Sequence, residues 1–247
     1  MKARVVNVRV VSLVPSSTET LLALGADVVA CTRFCEQPDL LHVGGTKNPD
    51  IAAIVALRPD VVVLDREENR IEDHDALVAA GLEVFVSDVR TVDAAVALVG
   101  ELTALVDAPL AVFETVSETV FEMCQAHLEQ LAARATDRRT AFVPIWRRPW
   151  MSIGADTYGA SMLDLLGIDL VTADATDQYP TVELDAISAL RPDLVLVPSE
   201  PYVFTDDHVA ELRNQLPGAE IIRVDGQDLF WWGVRTPDAL ERLSAVL

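Results

Sequence analysis

Lysine is almost absent from this chain of 247 residues: only Lys2 and Lys47 occur, and arginines make up the rest of its 19 basic residues. Set against 39 acidic residues, they leave a formal net charge of −20. That balance excludes nucleic acid and anionic membrane as expected partners, because attraction to phosphate needs clustered cations. An acidic surface with little lysine suits a high-salt cytoplasm, where self-repulsion is screened, and this halophile reading competes with a GC-rich genome that writes Arg for Lys. The two part in thermal melts. A halophile protein should gain melting temperature up to molar potassium chloride, where the Debye length is about 3 Å. A flat or falling trend selects the genome reading.

Cysteine is also scarce. Cys31, Cys35 and Cys124 are an odd number at no zinc spacing, which argues against a disulfide framework and leaves free, partly buried thiols as the expectation. The histidines His42, His74, His127 and His208 are scattered and form no i, i+4 zinc pair, so no protein-held metal is expected. The chain lacks G-x-S-x-G, Walker, G-x-G-x-x-G and H-E-x-x-H sequences, so an enzyme is not expected. No apolar run is long enough to enter a membrane, since residues 94–113 are broken by Glu101, Asp107 and Pro109. The opening "MKARVVNVRVVSLVPSS" likewise has no apolar stretch of signal-peptide length. The expected location is cytoplasmic as the chain stands, and extracytoplasmic if the start shown is trimmed.

What the chain does contain is a repeat. "ALRPDVVVL" begins at residue 56 and "ALRPDLVLV" at 189, each a helix end, a turn and a wholly apolar strand. Such strands beside helical patterns indicate parallel sheets covered on both faces. The likeness extends upstream, to "VSLVPSSTETLLALGAD" and "WMSIGADTYGASMLDLLGID", each passing from a strand through a Ser/Thr turn into a helix ending at Gly25 or Gly167. The period is too long for a solenoid and describes two α/β lobes of one design, residues 1–107 and 137–247. Expected strands lie near 9–14, 28–31, 60–64 and 83–86, then near 140–145, 169–172, 193–197 and 220–224. Between the lobes, 108–136 has no glycine and an apolar stripe from Val112 to Leu131, which predicts one long connecting helix over 109–135.

"RVVSLVPSSTETLLALGA", "VGGTKNPDIAAIVALRPDVVV" and "PDLVLVPSEPYVF" resemble the cobalamin- and siderophore-type substrate-binding proteins of ABC importers, the helical-backbone metal receptor group. The resemblance covers nearly the whole chain. It implies two α/β lobes on a backbone helix, a metal chelate in the cleft between them, no covalent cofactor, and delivery by a monomer to an ABC permease. Cobalamin or a related corrinoid is the ligand it points to first. A cytoplasmic chelate-storage module without a permease is the alternative, and an enzyme on the same fold ranks third.

Ligand sites of parallel sheets lie at the carboxyl ends of the strands. The corresponding loops carry Phe34 in the first lobe and Trp146, Trp150, Tyr179, Tyr202, Phe204, Phe230, Trp231 and Trp232 in the second. Flat rigid rings suit a corrin, and an equal claim is that half of them anchor loops to the core. Arg147 is the candidate fork for a ligand phosphate or carboxylate, with a rim ion pair as the competing role, more so for Arg148. Ser16 and Ser17 open the first helix, where a polar ligand atom or a simple cap would each account for them. Glu68 is a candidate for the cleft. The resemblance further implies acidic docking points for a permease, here Glu72 or Glu68 with Glu200 or Glu211; a solvated acidic loop explains them equally well.

Overall fold

The computed structural model describes residues 8–119, 122 and 138–247. They fall into two compact units. The first comprises the described residues of Met1–Val89, Asp93–Glu118 and Trp232–Val234, and the second those of Arg90–Val92, Thr119–Trp231 and Arg235–Leu247.

The first unit is built on strands β1 (Arg9–Ser12), β2 (Asp27–Cys31), β3 (Leu41–His42), β6 (Val61–Asp65) and β7 (Val84–Ser87). They form one sheet in the order β3-β2-β1-β6-β7 with every pairing parallel. A two-stranded ribbon of β4 (Gly44–Gly45) and β5 (Asn48–Pro49) stands beside it. Helices α1 (Pro15–Ala23), α2 (Ile51–Leu57), α3 (Ile71–Ala79) and α4 (Val92–Leu105) connect the strands. All five residues of β6 are buried, as a strand covered on both faces must be. The core gathers Val11, Leu13, Ala30, Ile54, Val62, Leu64 and Leu77.

A helix α5 follows at 111–119, inside the stretch expected to be helical. The remainder of that expectation, apart from Glu122, lies outside the described residues. Among the described residues no helix is long and apolar enough to cross a membrane.

The second unit repeats the plan with β8 (Arg139–Phe142), β11 (Ile168–Leu170), β13 (Leu194–Pro198) and β14 (Glu220–Val224), all parallel in the order β11-β8-β13-β14. Its helices are α6 (Tyr158–Leu165), α7 (Leu184–Leu190), α8 (Asp206–Gln215), α9 (Gly226–Phe230) and α10 (Thr236–Val246). Phe142, Leu184, Ile187, Val195, Val197, Phe204, Val209 and Leu212 fill its core. One element was not expected: β9 (Pro144–Trp146), β10 (Trp150–Ser152) and β12 (Thr181–Val182) make a small antiparallel sheet. "IWRRPW" is therefore the tip of a β-hairpin and not an open loop. No Asn-Gly or Asp-Gly pair marks the turn; Arg148 takes the positive φ of 74° instead.

The repeat now has a physical meaning. Both α2 and α7 are seven residues long and end on a left-handed arginine, Arg58 at φ 49° and Arg191 at φ 52°. The proline that follows is buried and cannot continue a helix. The aspartate after it clamps the neighbouring strand. Asp60 Oδ2 accepts the Arg9 backbone N–H at 2.8 Å, and Asp193 Oδ2 accepts that of Thr140 at 2.7 Å. Thr140, through its backbone N–H and its hydroxyl, holds the Asp193 carboxyl below the usual carboxylate range.

Candidate functional site

In the second unit, the hairpin, the segment after β13 and the turn after β14 carry the aromatic residues. Phe204 is the root, 4 % exposed and part of the core. Its ring stacks on Trp150 at 5.9 Å and meets Tyr202 at 4.8 Å, and Tyr202 meets Trp146 edge-on at 5.1 Å. Trp150 and Tyr202 are half-buried while Trp146 is 44 % exposed, so the rings form a ladder from core to solvent. Centroid distances of this order are those of favourable aromatic pairs. Helix α8 supports the ladder. Thr205 and His208 close a capping box at its start, and the His208 ring lies 5.7 Å from that of Tyr202. Tyr179 is a further exposed aromatic, at 39 %.

Arg147 extends along the Trp150 ring, its guanidinium carbon 5.8 Å from the centroid. Its Nε and Nη2 donate to Glu211 Oε2 at 3.0 and 2.7 Å. The ion pair assigned chiefly to Arg148 thus belongs to Arg147, while Arg148 lies exposed in the turn. Glu211, a candidate docking residue by sequence, is the carboxylate that sets the Arg147 fork.

A second group surrounds Trp231. Its indole N–H donates to Glu200 Oε1 at 2.7 Å, and the Arg235 guanidinium lies 5.1 Å over its ring. Beneath, the carboxylate of Asp228, 3 % exposed, accepts from Arg242 at 2.6 and 2.7 Å and from Arg235 at 3.3 Å. Nearby, burial pushes the Tyr158 phenol up, and its hydroxyl bonds Thr236 at 2.9 Å. Gly226 is required where it stands: a Cβ there would come within 2.5 to 2.8 Å of the Glu200 side chain and backbone. Glu200, proposed from sequence as a docking residue, is also the acceptor that orients Trp231. The parts missed in the sequence are Asp228, Arg235 and Gly226. Only the spacing of Asp228 with the arginines of the following helix could have signalled them, and that spacing is common on any surface.

In the first unit, Ser16 and Ser17 are 5 % and 0 % exposed in the first turn of α1. The residue at the cap is Val14, and no side chain closes the helix end. Ser17 Oγ has no hydrogen-bond partner among the described residues. Phe34 is 49 % exposed, with the Arg33 guanidinium 4.7 Å from its centroid. Glu68 and Glu72 are exposed. Glu68 sits on a loop braced from below, where Asp65 Oδ1 accepts the Glu67 N–H at 2.9 Å and Asn69 Nδ2 donates to the Thr46 carbonyl at 2.9 Å. Burial pushes the Asp65 carboxyl up, and Ser87, donating at 2.7 Å, offsets part of that. Trp232, unlike its neighbour Trp231, is only 6 % exposed and is grouped with the first unit. The next residue, Gly233, has φ 104° and packs where a Cβ would meet Thr20 Oγ1 at 2.1 Å. Among the described residues no group of three or more His, Cys, Asp or Glu could hold a metal ion.

Known proteins share this design. The vitamin B12-binding protein of Yersinia pestis is 26 % identical over 195 residues, which span 76 % of this chain and 69 % of the relative. The crystal structure of the periplasmic vitamin B12-binding protein of Vibrio cholerae superposes with a TM-score of 0.79 at 17 % identity, over 97 % of this chain and 96 % of that one. A periplasmic heme-binding protein from Pseudomonas aeruginosa gives 0.81 at 22 % identity, over 96 % and 91 %. At these identities the superpositions establish the fold. The family model described as periplasmic binding protein matches residues 10–217, and the chain therefore belongs to the periplasmic binding protein family.

Proposed function

We propose that this protein is a substrate-binding protein for a metal chelate, cobalamin or a related corrinoid, and that it serves ABC-type uptake. The observation that carries the reading is the aromatic ladder from Phe204 to the exposed Trp146, beside the Arg147 fork. Rigid aromatic rings anchored in the core, with the outermost exposed, suit contact with a large planar macrocycle, and the Arg147 guanidinium, oriented by Glu211, has further N–H groups for a phosphate or carboxylate oxygen of the periphery. The Yersinia relative, a vitamin B12-binding protein, supports the corrinoid. Haem is the second reading, favoured by the heme-binding protein from Pseudomonas aeruginosa. Permease docking through Glu72 and Glu200 belongs to the same proposal, and Glu200 would then serve both the permease and Trp231.

Titration with cyanocobalamin and with hemin, followed by tryptophan fluorescence and by the absorption bands of the ligand, tests the reading. Cyanocobalamin should quench the fluorescence saturably. Trp146→Ala should weaken binding by roughly 2 kcal/mol, about thirtyfold, as loss of an aromatic anchor does. Trp232 is unsuitable for this test because its burial makes it part of the fold. Quenching by hemin alone would replace the corrinoid with haem, and no response to either would remove the chelate reading.

A further inference from the structure

The turn that follows β2 is rooted in the core and bare on top. Thr32 is fully buried and Cys35 nearly so; the Cys35 N–H donates to the Thr32 carbonyl at 3.2 Å, and the free Cys35 thiol lies 3.1 Å from the Thr32 hydroxyl and 3.2 Å from that of Thr18. The two residues between them, Arg33 and Phe34, are exposed. The Arg33 backbone N–H donates to the Gly44 carbonyl at 2.9 Å, which ties the turn to the β4–β5 ribbon. Three side chains converge on the next ribbon residue. A Cβ on Gly45 would stand 2.6 Å from Asn48 Oδ1, 3.0 Å from Phe34 Cε2 and 3.2 Å from Arg33 Nη2, so these groups meet over bare backbone. The Arg33 guanidinium lies 4.7 Å from the Phe34 centroid and has no carboxylate or hydrogen-bond partner among the described residues. Its fork is open, whereas Arg147 is already turned to Glu211. The ribbon brings no negative charge to it: residues 40–49 hold no Asp or Glu in a chain that has 39, and they include Lys47 in the ribbon's turn.

We infer that Arg33, seated on Phe34, is an anion-recognising residue of the first unit and takes a carboxylate or phosphate oxygen from the periphery of a chelate. The inference rests on the chelate reading and narrows its substrate class to chelates that carry an oxyanion. The turn stands at the carboxyl end of β2, the end of a parallel sheet at which ligands bind. A planar guanidinium presents a fork of N–H groups that matches a carboxylate or phosphate. The Phe34 ring steadies that plane and offers apolar surface to the adjoining part of the ligand. The buried root holds the turn through Thr32 and Cys35, so neither the guanidinium nor the exposed ring is needed for the fold. Both candidate ligands supply the chemistry. Cobalamin carries a phosphodiester among neutral amides, and haem carries propionate carboxylates.

Phenyl phosphate titrated into the intact protein, followed through the arginine side-chain N–H signals by NMR at fixed salt, tests the residue apart from any chelate. The Arg33 signal, identified by its loss in Arg33→Gln, should shift saturably. No shift, or an equal shift of every arginine signal, overturns the assignment. Ligand pairs then test the class. Arg33→Gln should weaken cyanocobalamin binding by about tenfold and change that of cobinamide, which lacks the phosphate and its nucleotide, by less than about twofold; or it should separate hemin from hemin dimethyl ester in the same way. Selectivity in the first pair identifies a phosphate, and in the second a carboxylate. Equal loss for both members of a pair that binds, or no loss for either, overturns the inference, since a residue that merely shapes the loop would not tell the members apart. Arg33 is exposed, so the variant should melt with the parent protein. Failure of both cyanocobalamin and hemin to bind would remove the chelate reading, and the phenyl phosphate titration would still decide the role of Arg33.

Discussion

Asp228→Ala is expected to destabilise the second unit by about 3 kcal/mol, the low end of the roughly 3–5 kcal/mol seen when one partner of a buried ion pair is removed. The carboxylate is 3 % exposed and serves two guanidiniums, Arg235 and Arg242, whose side chains are 16 % and 52 % exposed. Truncation strips Arg235 of a buried counter-charge, while the half-exposed Arg242 can be solvated. Arg242→Ala takes the two short bonds from the buried carboxylate but leaves it the Arg235 contact at 3.3 Å, so its cost should fall between the roughly 1 kcal/mol of an exposed pair and that of Asp228→Ala. The asymmetry is the informative result. Urea unfolding of the two variants at fixed salt measures it, and losses below about 1 kcal/mol in both would mean that Asp228 is no more than a surface pair. The same substitution removes one of the contacts that hold Arg235 over the Trp231 ring, so chelate affinity should fall with stability in Asp228→Ala and hold in Arg242→Ala.

Phe142→Ala should cost about 3–5 kcal/mol, the range for emptying a fully buried aromatic site. Phe142 is 0 % exposed at the end of β8, in a core shared with Phe204, the root of the aromatic ladder. The cavity would therefore open in the core that anchors the ladder, and if the ladder is the chelate site, loss of stability should be accompanied by weaker quenching of tryptophan by cyanocobalamin. Val203→Ala, one residue before Phe204 in sequence but 76 % exposed, should change stability by no more than about 0.5 kcal/mol. A Phe142 variant as stable as Val203→Ala would show that the core of this unit is loosely packed. Denaturant midpoints at equal slope make the comparison.

The sheets were legible in the sequence because burial on both faces leaves an unbroken apolar run, as in "DVVVL" and "DLVLV", and because the flanking helices stop at proline or glycine. Each expected strand has its counterpart within a few residues. The hairpin of β9 and β10 was not legible. Its three-residue strands are too short to show a period, and its turn is made by arginine and proline, which carry no hairpin signal. The aromatic residues could be named from their place at strand ends, but not sorted. Trp231 and Trp232 are adjacent and chemically identical, yet one is held by Glu200 beside the second unit's site and the other is packed away in the first unit. Such sorting depends on the exact direction of each side chain at a turn, which no periodic pattern encodes. For the same reason the partner of Arg147, separated from it by 64 positions in the chain, could not be chosen from among the many acids.

The paired aspartate clamps have a consequence for protein engineering. Asp60 and Asp193 fix their neighbours at the amino ends of β1 and β8, whereas the aromatic ladder and the Trp231 group follow the carboxyl ends. Strand alignment is thus locked at one edge of each sheet, and in the second unit the aromatic groups stand at the other. Exposed positions there, such as Trp146 at 44 % and Val203 at 76 %, can be exchanged with little effect on how the strands find each other, since the carboxylates that align them are a strand's length away. The second unit thus has a fixed base and a replaceable face, and the exposed rings of that face are where substitutions would test the proposed selectivity among planar chelates without redesigning the core.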